Sequence, residues 1–289
     1  MHVESCCQAL LSNMLPELDR DRAGAAIDIG VGTFAFYCEL FDRLGFKTIA
    51  AEPLPTDHLR RVCRSRNIRL IETCVSEADG LVDMYVGSFN GQENFNLNSM
   101  RSDWWGSSAS TRKVRSMTLG SLLAYNVPDS ITCMKIDVEG MELSIIKQLQ
   151  ILKEPMLPKA IMFEYGGGGT REKRQGGWSD EMLGETIKCM EVMRSLGYGQ
   201  SIMVDSAADT KERIFDLQSV DIEPEAMFLP QCIYGNIICL RRLHYPENKI
   251  DAICRPYREN NFPPPELYIH EGILRRAYYK LRWIILQTL

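Results

Sequence analysis

The chain has 289 residues, 45% hydrophobic and 25% charged, a balance that fits a globular protein and excludes disordered and fibrous classes. A net charge of −5 and a pI near 5.5 give no global electrostatic pull toward nucleic acid. Ten cysteines form no CxxC pair and several lie in apolar runs, so reduced thiols in a cytoplasmic protein are expected, not a disulfide frame or zinc site. The N-terminus lacks the pattern of a signal peptide, and no run approaches about 18 apolar residues, so no membrane span is expected.

Residues 5–18 carry apolar side chains at helical spacing and predict a lead-in helix. "AAIDIG" (25–30) reads as a buried parallel strand stopped by glycine, and 34–45 as a helix closed by Gly45. A strand at 47–53, a helix at 55–67 and a third strand within 68–80 continue the rhythm of a doubly wound α/β sheet. Residues 81–118 interrupt it, with two short strands around an Asn- and Ser-rich segment. The alternation resumes with helix 119–126, strand 131–137, helix 142–150, strand 159–165 and helix 179–196. Late strands at 198–204 and 234–242 flank an irregular stretch near 205–230. The expected organisation is a lead-in helix within 1–24, one domain over 25–245 with insertions near 81–118 and 205–230, and an extension over 246–289.

"DIGVGTFAF" places Gly30 and Gly32 in a tight turn between the first strand and first helix, where backbone and ligand can approach closely. Glu52 ends the next strand, 22 residues after Gly30, near the offset of an acid that accepts ribose hydroxyls. "GVGTFA" also satisfies a dinucleotide fingerprint, so an NAD-dependent oxidoreductase is the competing reading. Asp28 argues against it: an acid in front of the glycines repels a pyrophosphate and suits a cationic, amino-acid-bearing cofactor.

The strand "CMKIDVEGMEL" (133–143) should lie beside the first strand, bringing Asp137 and Glu139 over the same crevice. Glu142 reads as an acid at a helix start, and Lys135 inside the strand calls for a carboxylate partner. Asp137, Glu139 and Glu164, at the end of the next strand, are hard oxygen ligands of the kind magnesium takes, but no clear ligand set emerges and no metal is expected.

Together "IDIGVGTFAFYCELFDRLGFKTIAAEP", "VSEADG", "VRSMTLGSLL", "MKIDVEGMELSIIKQL" and "IMFEY" resemble the FkbM family of S-adenosylmethionine-dependent methyltransferases over roughly residues 25–165. The resemblance implies a Rossmann-like class I methyltransferase fold, a mostly parallel doubly wound sheet with a final antiparallel strand. It implies O-methylation of a hydroxyl on a sugar, glycolipid or natural product. Carried over by position, Asp28, Gly30 and Gly32 hold the methionine end of S-adenosyl-L-methionine, Glu52 the ribose, and Val75 and Ser76 border the adenine. Asp137 and Glu139 then face the sulfonium and acceptor, and Asp137, Glu139 and Glu164 are the candidate bases. Thr33 and Phe34 depart from the family's usual D-x-G-A-N-x-G loop. A non-catalytic cofactor-binding subunit is a further alternative.

The loop "YGGGGTREKRQGGWSD" (165–180) offers basic residues and Trp178 as a lid over an anionic acceptor, or is simply solvated. Trp104 and Trp105 wall a pocket or pack a core. The amphipathic segment 270–289 suits a membrane surface, a partner or its own domain.

Overall fold

The computed structural model describes residues 1–124, 130–208 and 210–258. A helix, α1 (Val3–Leu18), leads into β1 (Ala25–Ile29), which is buried at every residue, as a central strand covered on both faces must be. Then come α2 (Phe36–Arg43), β2 (Lys47–Ala51), α3 (Asp57–Ser65) and β3 (Arg69–Ile71). Gly45, with φ +83°, follows α2 as the expected stop, and Thr56 caps α3 by accepting from the Leu59 amide at 3.1 Å.

The interruption over 81–118 is a second sheet: β4 (Cys74–Val75), β5 (Gly80–Phe89), β6 (Gln92–Glu93) and β7 (Ser107–Met117), in the order β4-β7-β5-β6. Val75 therefore ends a strand of this small sheet, not the third strand of the large one. The chain continues through α4 (Leu119–Ala124), β8 (Ile131–Ile136), α5 (Glu142–Gln148), β9 (Ala160–Gly166), α6 (Asp180–Ser195) and β10 (Tyr198–Asp205). The stretch read as irregular holds β11 (Arg213–Asp216) and the one-turn α7 (Pro224–Met227), too short for periodicity to reveal. β12 (Tyr234–Arg241) and α8 (Glu247–Cys254) follow.

The large sheet has the order β11-β10-β12-β9-β8-β1-β2-β3. The five strands from β9 to β3 pair in parallel, and β12 enters antiparallel between β9 and β10. β11 adds an antiparallel edge beyond the expected final strand. Side chains alternate between two cores: Ile161, Phe163 and Tyr165 face α4, α5 and α6, whereas Ala160 and Met162 face α1, α2 and α8.

That alternation positions the site. Asp28 lies directly opposite Lys135, and Glu164 opposite Asn236, so polar side chains from β1, β8, β9 and β12 gather on the α1 face near the strand ends. All ten cysteines are buried free thiols. Among the described residues no helix is long and apolar enough to cross a membrane. Segment 270–289, with its expected amphipathic helix, lies outside the described residues.

Candidate active site

The glycine turn is shaped by its neighbours. Gly30 and Gly32 have φ of +76° and +64°, the left-handed region that favours glycine. A Cβ at Gly30 would strike the Asp137 carbonyl, and one at Gly32 would come within 2.7 Å of Asn96 Oδ1. The turn is anchored by Glu52, whose Oε2 accepts from the Gly32 amide at 2.9 Å and whose Oε1 accepts from the Leu54 amide at 3.0 Å. Asn96 Oδ1 accepts from both the amide and the hydroxyl of Thr33, each at 2.8 Å. Thr33, a departure from the usual family loop, thus ties the turn to the segment between β6 and β7.

Lys135 is the hub. Its buried ammonium donates to the Gly30 carbonyl at 2.6 Å and lies 3.3 Å from Asp28 Oδ1 and 3.2 Å from Asp137 Oδ2. The Tyr37 ring centroid is 5.5 Å away. Burial alone would lower the ammonium's pKa, but Asp137 and Asp28 push it above its ordinary range, so it stays charged. Asp28 spends its other oxygen on the Cys38 amide at 3.1 Å and does not line the cavity. Its contact with the site runs through Lys135.

Around this one cation stand more acids than it can neutralise. Glu139 is held with φ +54°, a strained backbone for a non-glycine residue. Its Oε2 accepts from Trp104 Nε1 at 2.9 Å and its carbonyl from the Ser99 hydroxyl at 2.6 Å. Burial, with the charges of Asp137 and Glu142, raises the Glu139 pKa well above the usual carboxylate range. Glu164 is raised likewise, by burial and then by Asp137 and Glu139. Glu142 opens α5 as the helix-start acid the sequence suggests, accepting from the amides of Val138 and Gly140 at 3.0 and 3.1 Å. Burial still pushes its carboxyl up to about 7.

Glu4 was not legible as a site residue. It comes from α1, far away in sequence, and accepts from the Tyr37 hydroxyl at 2.7 Å. Burial, then the charge on Asp137, raises its pKa.

Two cavities meet at these groups. The larger, about 390 Å³, runs from Gly30, Gly32 and Glu52 past Cys74, Val75 and Met84 to Lys135, Asp137 and Glu139. Ser76 is turned away, its hydroxyl donating to the Ala78 carbonyl at 2.9 Å. The smaller, about 230 Å³, is walled by Trp104, Trp105 and Tyr234, bedded on Gly166–Gly168, and reached by Glu139 and Glu164. Oxygens of Asp137, Glu139 and Glu164 lie within 4.8 Å of one another. In the basic loop Arg171 pairs with Glu225 at 2.8 Å, Arg174 pairs with Asp180, and Trp178 is buried, donating to the Ile233 carbonyl at 2.6 Å.

Residues 23–198 match the model of the methyltransferase FkbM domain. The chain belongs to the FkbM methyltransferase family. As such it is an S-adenosylmethionine-dependent methyltransferase, which removes the NAD-dependent oxidoreductase reading. Among curated proteins no relative matches the sequence. Solved methyltransferase structures are among those distantly similar. The methyltransferase domain of a bacterial Hen1 (CtHen1-CN) is 12% identical with a TM-score of 0.36, over 81% of this chain and 99% of that one. The Burkholderia thailandensis 1,6-didemethyltoxoflavin-N1-methyltransferase, solved with 1,6-didemethyltoxoflavin and S-adenosylhomocysteine, is 10% identical with a TM-score of 0.36, over 82% and 78%. At that distance neither likeness informs the FkbM protein's substrate.

Two outcomes follow from the charge arrangement. Lys135→Met strands Asp28 and Asp137 and should lower the unfolding free energy in urea by about 3–5 kcal/mol, with part regained in Lys135→Met/Asp28→Asn. An unchanged midpoint and slope would contradict the hub role. Glu142, at about 7 folded against 4.5 as a free side chain, binds more protons folded than unfolded. Its stabilising contribution is complete below 4.5 and is lost as pH rises through about 7. The melting temperature of the cofactor-free protein should therefore fall between about pH 5 and pH 8, and a flat or rising profile would overturn the assignment.

Proposed function

We propose that this FkbM methyltransferase methylates a hydroxyl group on a sugar, glycolipid or natural product, with Glu139 as the general base. The supporting observation is that Glu139 is the one acid, among the described residues, that lines both cavities. The residues fit S-adenosylmethionine in the larger cavity. Gly30 and Gly32 line it with bare backbone at the end of β1, Glu52 lines it as an acceptor for ribose hydroxyls, and Cys74, Val75 and Met84 give an apolar seat for an adenine. Lys135 and the surrounding carboxylates match the carboxylate and the cationic centres of the methionine end.

The cofactor, when bound, supplies an electrophilic methyl group on a sulfonium. The chain supplies alignment and a place for the acceptor's proton. Trp104 holds Glu139 Oε2, leaving Oε1 to take the proton from a hydroxyl in the smaller cavity. A raised pKa makes Glu139 a stronger base than an ordinary carboxylate, and a nearby cation draws it back toward the ionised form. Asp137 is a less suitable base because Lys135 occupies its Oδ2. Its role is to hold the hub.

Glu139→Gln keeps the shape and removes the base. The turnover number should fall by about 10²–10⁴-fold while S-adenosylhomocysteine affinity changes only a few-fold. The wild-type rise of turnover with pH should flatten in the variant. Near-normal turnover in Glu139→Gln would remove Glu139 from the mechanism.

A further inference from the structure

The smaller cavity has a chemistry of its own. At about 230 Å³ it exceeds the roughly 150 Å³ that holds a benzene ring, so it has room for one monosaccharide-sized ring. Its walls include Trp104, Trp105 and Tyr234. Glu164 reaches it with a half-buried carboxylate to which, among the described residues, no group donates a hydrogen bond. Its closest charged neighbours are other acids, Asp137 and Glu139. The buried Lys135 is already shared by Asp28 and Asp137 and does not line this cavity. A second group is also unpaired: the Trp105 indole N–H is buried and has no acceptor.

We propose that this cavity receives a positively charged group of the acceptor, an ammonium beside the methylated hydroxyl, with Glu164 as the specificity-determining residue. The inference rests on the hydroxyl-acceptor reading above and names the substrate class more narrowly: an amine-bearing saccharide or similarly sized aminated ring. Aromatic faces attract an organic ammonium, and an otherwise unpartnered carboxylate completes its pairing. A divalent metal ion is the other cation three acids could share, but it prefers a shell of oxygens and water. Three aromatic walls supply little of that, and one oxygen of Glu139 is already bonded to Trp104.

The test uses the full chain loaded with S-adenosylhomocysteine, titrated with methyl glycosides of 2-, 3-, 4- and 6-amino sugars. Each is matched to its N-acetylated and hydroxyl counterparts, with tryptophan fluorescence and saturation-transfer NMR as readouts. At least one amine should bind about tenfold tighter than both counterparts. Glu164→Gln should erase that preference while neutral glycoside and S-adenosylhomocysteine binding persist, which also shows that the variant is folded. Amines no tighter than their counterparts, no amine binding up to tens of millimolar, or a preference unchanged in Glu164→Gln would each overturn the proposal. So would magnesium or manganese promoting binding of the neutral glycosides over the amines. Methyl transfer to hydroxyls of neutral sugars without amine preference would leave the hydroxyl reading standing and remove only this one. A product methylated on nitrogen would overturn both, because that transfer needs the lone pair of an unprotonated amine at the sulfonium.

Discussion

The site depends on the imbalance between one buried ammonium and the carboxylates packed around it. Lys135 joins β8 to β1 through Asp28, to the glycine turn through the Gly30 carbonyl and to the strand end through Asp137. It leaves Glu4, Glu139 and Glu164 without comparable pairing, so burial and mutual repulsion favour their protonated forms. Such an arrangement costs stability in the free protein and suits a ligand that brings positive charge. A sulfonium and an α-ammonium are charges of that kind, which is the physical link between this cluster and the chemistry of the family.

The second sheet has a matching role. β5 and β7 carry the segment between them back over the crevice, fastened where Tyr85 and Ser99 exchange backbone hydrogen bonds at 2.8 and 3.1 Å. From there Asn96 holds the glycine turn, Ser99 fixes the strained Glu139 backbone, and Trp104 aims its carboxylate. The segment thus contributes to the lining of both cavities, with Phe95, Asn96, Asn98 and Met100 in the larger and Leu97, Trp104 and Trp105 in the smaller. The excursion holds and covers the site, whereas the glycine turn, Lys135 and the acids come from the strand ends of the large sheet.

Much of the frame was legible because buried parallel strands and amphipathic helices leave periodic signals, and glycine stops such as Gly45 mark their ends. The placement of β8 beside β1 was legible too, and with it the need of Lys135 for a carboxylate. What escaped depends on contacts distant in sequence. Glu4 looks like an ordinary acid on an N-terminal helix until α1 packs on the sheet face that carries Asn236 and Glu164. Asn96 sat in a polar run that suggested only a loop, and Trp104 could equally have been core. In the basic loop Arg171 and Arg174 find acids nearby and Trp178 enters the core, contacts that a basic run in the sequence does not reveal. Ser76 and Asp28 turn their side chains toward Ala78 and toward Lys135 and Cys38 rather than into the cavity.

Burial and mutual repulsion favour protonated carboxyls in this cluster until a cation arrives. Isothermal titration calorimetry near pH 6.5, repeated in buffers of different ionisation enthalpy, counts protons exchanged on binding. Binding of S-adenosylmethionine should release protons, and binding of the uncharged thioether S-adenosylhomocysteine should release fewer, with the gap closing at higher pH as the cluster ionises on its own. Equal proton counts for the two ligands across that range would contradict the account.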